Sequence, residues 1–446
     1  MNTPICDFVK SYTEKNTVRF HMPGHKGKNI LGFENFDITE IMGADSLYEA
    51  STIIAESEKN ASALFGCDTY YSTEGSSLCI RAMLYLATIY AKNQNKELVV
   101  FAGRNAHKTF VSSSALLGFD VEWLGQDTNS IYHSFTVDID LLESTLSKTN
   151  NKTKVVYITS PDYLGNISDI KKIADVCHKN DALLIVDNAH GAYLRFLDTS
   201  LHPIDLGADL CCDSAHKTLP VLTGGAYLHI SNKLPALFNN HVKEALSLFG
   251  STSPSYLILQ SLDIANKYLC ENIKSDINNV CVFLDKLRSE LVDKGFTLYG
   301  NEKLKITIQT KKYGYMGYEF ADILRNNNIE CEFSDPDFVV LMLSASSTEE
   351  ELLTLEKTLL DIQKKAKIST IPPTPSLPVK NMSIREATLS VSESLPVKEC
   401  IGKTVAISTA SCPPAIPIVV PGEVVDEHSI KLFEYYGIEN IFVIKE

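Results

Sequence analysis

Four residues past the apolar run ADLCCD (208–213), the sequence places Lys217, in Ser214-Ala215-His216-Lys217. Thirty positions earlier another apolar run, ALLIVD (182–187), closes on Asp187, with Asn188, Ala189 and His190 behind it. An unprotonated lysine amine attacks carbonyl carbon, and a carboxylate can keep a heteroaromatic nitrogen protonated. Upstream, Gly75-Ser76-Ser77 opens the helical run LCIRAMLYLATIYAK (78–92). Small residues at a helix start leave backbone N–H groups and the positive dipole end available to a phosphate.

Pyridoxal phosphate calls for these three features together: an amine for its aldehyde, a carboxylate for its ring nitrogen and a cup for its phosphate. A protonated ring nitrogen lets the ring accept electrons released at the substrate's α-carbon. Any one of these features is commonplace; their order and spacing point to this cofactor.

Such residues need a scaffold that presents strand ends. ELVVFAG (97–103), KVVYITS (154–160), ALLIVDNA (182–189), ADLCCDS (208–214) and GAYLHI (225–230) read as buried strands. Between two of them, SDIKKIADVCHKN carries Ile170, Ile173, Ala174 and Cys177 at helical spacing, with Ser168 as the expected N-cap. Alternation of this kind predicts an α/β domain with a mostly parallel sheet, whose ligands sit beyond the carboxyl ends of the strands. Past residue 250 comes a long helix, SPSYLILQSLDIANKYLC. A second α/β unit follows, with strands at KLKITIQT and DFVVLMLS, a helix near 316–327, and a helix opened by a Ser347-to-Glu350 capping box. STIPPTPSLPVK reads as a linker. The expected organisation is an N-terminal segment (1–50), a cofactor-binding large domain (51–250), a small α/β domain (251–368), the Pro-rich linker (369–381) and a C-terminal domain (382–446).

Bulk properties narrow the partners. A chain of 446 residues with formal net charge −14 is a poor nucleic-acid binder. No apolar run reaches the roughly 18 residues that a membrane span needs, and no secretory leader is visible. Eleven cysteines without a C-x-x-C pair suit a reducing cytoplasm. His21 and His25 in HMPGHKG have metal-ligand spacing, but Pro23 and Gly24 exclude the helix it requires, so no metal is expected.

The sequence resembles the Orn/Lys/Arg decarboxylases, a family of fold type I pyridoxal-phosphate enzymes. FHMPGHKG (20–27), DNAHGA (187–192), SAHKTLP (214–220), STSPSYLILQSLD (251–263) and CPPAIPIVVPGE (412–423) match that family in place and order. The resemblance is to a short form without an N-terminal wing domain. It implies a homodimer or larger homo-oligomer with sites at the subunit interface. It implies that Lys217 carries the cofactor as a Schiff base, Asp187 pairs with the ring nitrogen, His190 lies near the phenolic oxygen and His107 stacks on the ring. Gly75, Ser76, Ser77, Ser214 and His216 would hold the phosphate, with Ser251 or Thr252 reaching a partner subunit's phosphate. The chain departs from the family's usual residues at Glu74 (Asn), Asp162 (Thr), Asn188 (Glu) and Gly224 (Gln).

The expected reaction is α-decarboxylation of arginine, lysine or ornithine to CO2 and a polyamine-type amine. Aminotransferases of this fold clamp the substrate carboxylate with a small-domain arginine. Here only Arg288 and Arg325 stand in that region, both on helical faces that read as solvated. The substrate's distal cation needs an anion, for which Asp45, Glu49, Glu74, Asp162 and Glu423 are candidates. Transamination, carbon–sulfur lysis and a non-catalytic cofactor-binding role are the alternatives.

Overall fold

The computed structural model describes residues 1–125, 131–408 and 415–445. Residues 412–414 of the CPPAIPIVVPGE motif lie outside them. Seven strands supply the main sheet: β1 (Asp68–Ser72), β2 (Glu97–Ala102), β3 (Asp120–Trp123), β4 (Lys152–Thr159), β5 (Ala182–Asp187), β6 (Leu210–Asp213) and β7 (Ala226–Ile230), in the order β1-β7-β6-β5-β4-β2-β3. β2 runs parallel to β3 and β4, and β5 parallel to β6, as expected of a crossover-built sheet. β7 is antiparallel to both β6 and β1, so one edge of the sheet reverses.

The chain divides into two compact units: Met1–Lys96 with Leu183–Ile277, and Glu97–Ala182 with Asn278–Glu446. In the first, the helix Gly75–Asn93 buries Leu78, Met83, Leu84 and Leu86. The helix Ile53–Phe65 ends on Gly66, whose φ of 72° is the left-handed conformation glycine adopts without strain. Its last residue, Phe65, packs its ring against Phe196, His202, Tyr227 and His229. Buried Asp263 accepts N–H bonds from Ile5 and Cys6 at 3.0 Å, which fixes the N-terminal helix Pro4–Glu14.

The second unit holds β2–β4 and two antiparallel sheets. One comprises β8 (Leu298–Tyr299), β9 (Lys305–Gln309), β10 (Phe333–Ser334) and β11 (Phe338–Met342). The other comprises β12 (Ser392–Pro396), β13 (Val405–Ile407) and β14 (Asn440–Ile444). Arg104 donates to Glu423 at 2.6 Å, and both side chains are buried.

Two caps differ from the sequence reading by one residue. Asp169, not Ser168, accepts the Lys172 N–H, while the Ser168 backbone N–H donates to the Ser160 hydroxyl. Thr348 with Glu351, not Ser347 with Glu350, forms the capping box, while the Ser347 hydroxyl accepts from Ser344 N–H. Arg288 is not simply solvated either. It donates to the carbonyls of Glu302, Lys303 and Lys305 and so pins the approach to β9.

Candidate active site

The first unit gathers most of the expected residues at the ends of β5 and β6 and at one helix start. Gly75 begins its helix with φ of 72°, and its N–H donates to the Gly224 carbonyl at 2.7 Å. A Cβ there would meet no atom within 4 Å, so the backbone conformation, not crowding, requires glycine, and the space beside the helix start is open. No side chain caps this helix. Glu74 stands at the cap position but turns away and accepts the Ser251 N–H at 2.5 Å. That removes the conflict a carboxylate would otherwise create beside a phosphate. The hydroxyls of Ser214 and Ser76 meet at 2.8 Å, with Ser77 next along the same turn.

Asp187 ends β5 with 2% exposure, its Oδ1 accepting from Ala189 N–H and from the Cys212 thiol. The turn that follows is tight. Gly191 N–H donates to the Asn188 carbonyl, and a Cβ on Gly191 would lie 2.0 Å from Asn188 Oδ1. This turn delivers His190, whose Nε2 is 3.0 Å from Lys217 Nζ. Lys217 itself sits in the short helix Ala215–Thr218 directly after β6. His216 directs its backbone N–H and its Nδ1 to the Gly225 carbonyl, which fixes its ring orientation.

The Lys217 amine, the Asp187 carboxylate, the His190 imidazole and the helix start at Gly75 with Ser76, Ser77 and Ser214 thus belong to one unit, and these residues fit pyridoxal phosphate. Once bound there, the group supplies an electron sink for charge formed at the substrate's α-carbon. Ser251 and Thr252 are exposed on the bend before the helix Tyr256–Glu271. His107 belongs to the second unit, where it caps the helix Lys108–Leu117, its Nδ1 accepting from the Thr109 N–H and hydroxyl.

Three of the substrate-carboxylate candidates have structural duties. Asp45 accepts N–H bonds from Ser51, Thr52 and Ile54 and caps the helix Ile53–Phe65. Asp162 is buried among Ser134, Leu164 and Asn166. Glu423 is committed to Arg104, and Glu49 and Glu74 are exposed. Sequence reasoning saw Asp213 only as a strand end and missed His202 and His229, both joined to it and, like it, completely buried. The one available signal was a second aspartate at a strand end, four residues before the lysine.

An Orn/Lys/Arg decarboxylase major-domain model matches residues 3–307, and the C-terminal-domain model of the same family matches 367–442. The chain belongs to the Orn/Lys/Arg decarboxylase family. It is therefore a pyridoxal-phosphate enzyme of the class that decarboxylates basic amino acids. Among similar proteins, an arginine decarboxylase of Halalkalibacterium halodurans is 29% identical over 96% of this chain and 92% of its own length. The uncharacterized protein YaaO of Bacillus subtilis is 28% identical over 97% and 93%. The lysine decarboxylase LdcF of Francisella novicida superposes with a TM-score of 0.80, covering 99% of this chain and 81% of that one at 16% identity. A NifS-like protein shares the fold more distantly, with a TM-score of 0.56 at 14% identity over 81% of this chain and 95% of that one. Family membership and the fold type I neighbours agree with the expectation drawn from Lys217, Asp187 and Gly75.

Proposed function

We propose that this decarboxylase acts on arginine first among the basic amino acids, with Lys217 as the residue that carries the cofactor and returns to it after turnover. The observation that carries the residue assignment is the 3.0 Å contact between Lys217 and His190, on the turn that begins at buried Asp187. Arginine is favoured because relatives aligned over nearly their whole length bear that name. Asp187 keeps the ring nitrogen protonated, His190 meets the phenolic side, and His107 stacks on the ring. Gly75, Ser76, Ser77, Ser214 and His216 hold the phosphate. The amine produced is of the polyamine-precursor type, and the working compartment is the cytoplasm.

We further propose a homodimer, in which Ser251 or Thr252 reaches the partner's phosphate. The support is an exposed apolar surface in the N-terminal segment: Phe20 and Met42 are 94% and 99% exposed, and Ile30 and Leu31 lie open between them. Large apolar side chains left this exposed in one segment are characteristic of an interface.

The test is incubation of the cofactor-loaded enzyme with arginine, lysine and ornithine separately, with mass-spectrometric detection of products. CO2 with the matching amine, fastest from arginine, is expected. A keto acid would establish transamination instead, and an inert protein that still binds the cofactor would leave a non-catalytic role.

A further inference from the structure

Asp213 ends β6 with its side chain completely buried, and all of its acceptor capacity is directed. Its Oδ2 receives Nε2–H from both His202 and His229 at 3.1 Å. Its Oδ1 receives the Asn188 side-chain N–H at 2.6 Å and faces the Cys211 thiol at 3.8 Å. The antiparallel register sets Cys211 opposite His229, which is how β7 brings an imidazole to a β6 carboxylate. His202 and His229 are in turn packed edge to face and covered by Phe65. His202, Cys211 and Asp213 are residue types that ligate metals. The carboxylate between them is already saturated by N–H and S–H donors, so the cluster reads as a hydrogen-bonded anion.

Asn188 is the link to the chemistry. It follows Asp187 directly, is completely buried, and presses its side chain against Gly191 on the far side of the turn that carries His190. It also explains a departure from the family's usual glutamate. A glutamate at 188 would set a second carboxylate against Asp213 in a site with no solvent to separate them, whereas the amide offers an N–H. Asn188 and Asp213 therefore read as one matched pair, amide against carboxylate.

We propose that Asp213 is a positioning residue for the reaction: oriented by His202 and His229, it grips the Asn188 amide and so holds the turn that runs from the Asp187 carboxylate to the His190 imidazole beside Lys217. This rests on the assignment of Lys217 and Asp187 to pyridoxal phosphate. A misplacement of well under 1 Å in such a constellation is costly, so the grip matters although Asp213 touches no substrate.

The pair can be broken and then rebuilt with reversed polarity. We compare Asp213→Asn, Asn188→Asp and Asn188→Ala with the double variant Asn188→Asp/Asp213→Asn, in which the new amide at 213 still accepts from both imidazoles and donates to the new carboxylate. The readouts are the visible absorbance band of the lysine-bound cofactor, the affinity of the apoprotein for pyridoxal phosphate, kcat and KM separately, and the melting temperature. Each single variant is expected to lose about tenfold to a hundredfold in kcat, with a displaced band and weakened cofactor affinity. The double variant is expected to recover kcat and band together. Asn188→Ala, which leaves Asp213 and both histidines in place, separates positioning from folding, since it should shift the band without lowering the melting temperature appreciably. Single variants with the native band and kcat within twofold would overturn the proposal. So would a folded double variant no better than the worse single. A wild-type holoenzyme without any lysine-bound band would instead sink the cofactor assignment itself, a distinct outcome visible before any variant is made.

Discussion

Two regions of the first unit are organised by carboxylates, with opposite consequences. At the strand ends Asp213 lies wholly inside, saturated by imidazole, amide and thiol donors and roofed by Phe65. Between residues 15 and 46 the N-terminal segment has neither helix nor strand, and several of its large apolar side chains face solvent. It is ordered instead by Glu34, which accepts the N–H groups of Ile30, Leu31, Gly32 and Phe33, and by Asp45, which caps the next helix. An interior carboxylate of this kind fixes side chains against one another and is insulated from solvent. Glu34 and Asp45, buried as well, instead fold backbone whose neighbouring apolar side chains stay exposed and available to a partner.

That contrast is sharpened by four perturbations. Lys217→Ala, at the strand ends, should reduce turnover by about a thousandfold or more and abolish the visible lysine-bound band, as followed by steady-state amine production and absorbance. Phe20→Asp combined with Met42→Asp, in the N-terminal segment, should halve the solution mass by light scattering while the isolated fold keeps its circular dichroism. A mass unchanged at micromolar concentration would place the subunit interface elsewhere. Asp45→Ala removes the helix cap and should lower stability by about 1–2 kcal/mol in urea unfolding.

The smallest effect concerns acid. Burial pushes the Glu34 carboxyl up, but the backbone N–H groups of Leu31, Ile30 and Gly32 outweigh it and hold it at about 2. A folded-state value lowered from 4.5 contributes stability that is fully present above that range and lost as pH falls toward 2. The protection of the amides at residues 30–33 against exchange, relative to the unfolded chain at the same pH, should therefore fall over that interval, and Glu34→Gln should remove that fall. Asp213 is likewise held low, because the His202 and His229 charges and hydrogen bonds outweigh its burial. Its enclosure should keep the strand-end cluster intact while the N-terminal segment loosens.

The strand ends were legible because apolar runs that stop at Asp187 and Asp213 are a one-dimensional signal of buried strands. Gly75 was legible for the same reason, as a small residue before a long apolar periodicity. The Asp213–His229 pairing was not, since it depends on β7 running antiparallel to β6, and a run such as AYLHI has the same pattern in either direction. β1 was missed because DTYYS is too polar to read as a buried strand, and β3 because DVEW is short and half exposed. The caps at Asp169 and Thr348 were displaced by one residue, since neighbouring hydroxyls and carboxylates are equally good caps by type, and at Ser347 a competing turn claims the hydroxyl.

The central claim is that Lys217 holds the cofactor, and borohydride reduction of the holoenzyme followed by peptide mass mapping tests it most directly. The account predicts a reduced pyridoxyl-phosphate adduct on the peptide containing Ser214-Ala215-His216-Lys217 and on Lys217 alone. An adduct on another lysine, or none in an enzyme that still releases amine, would contradict it.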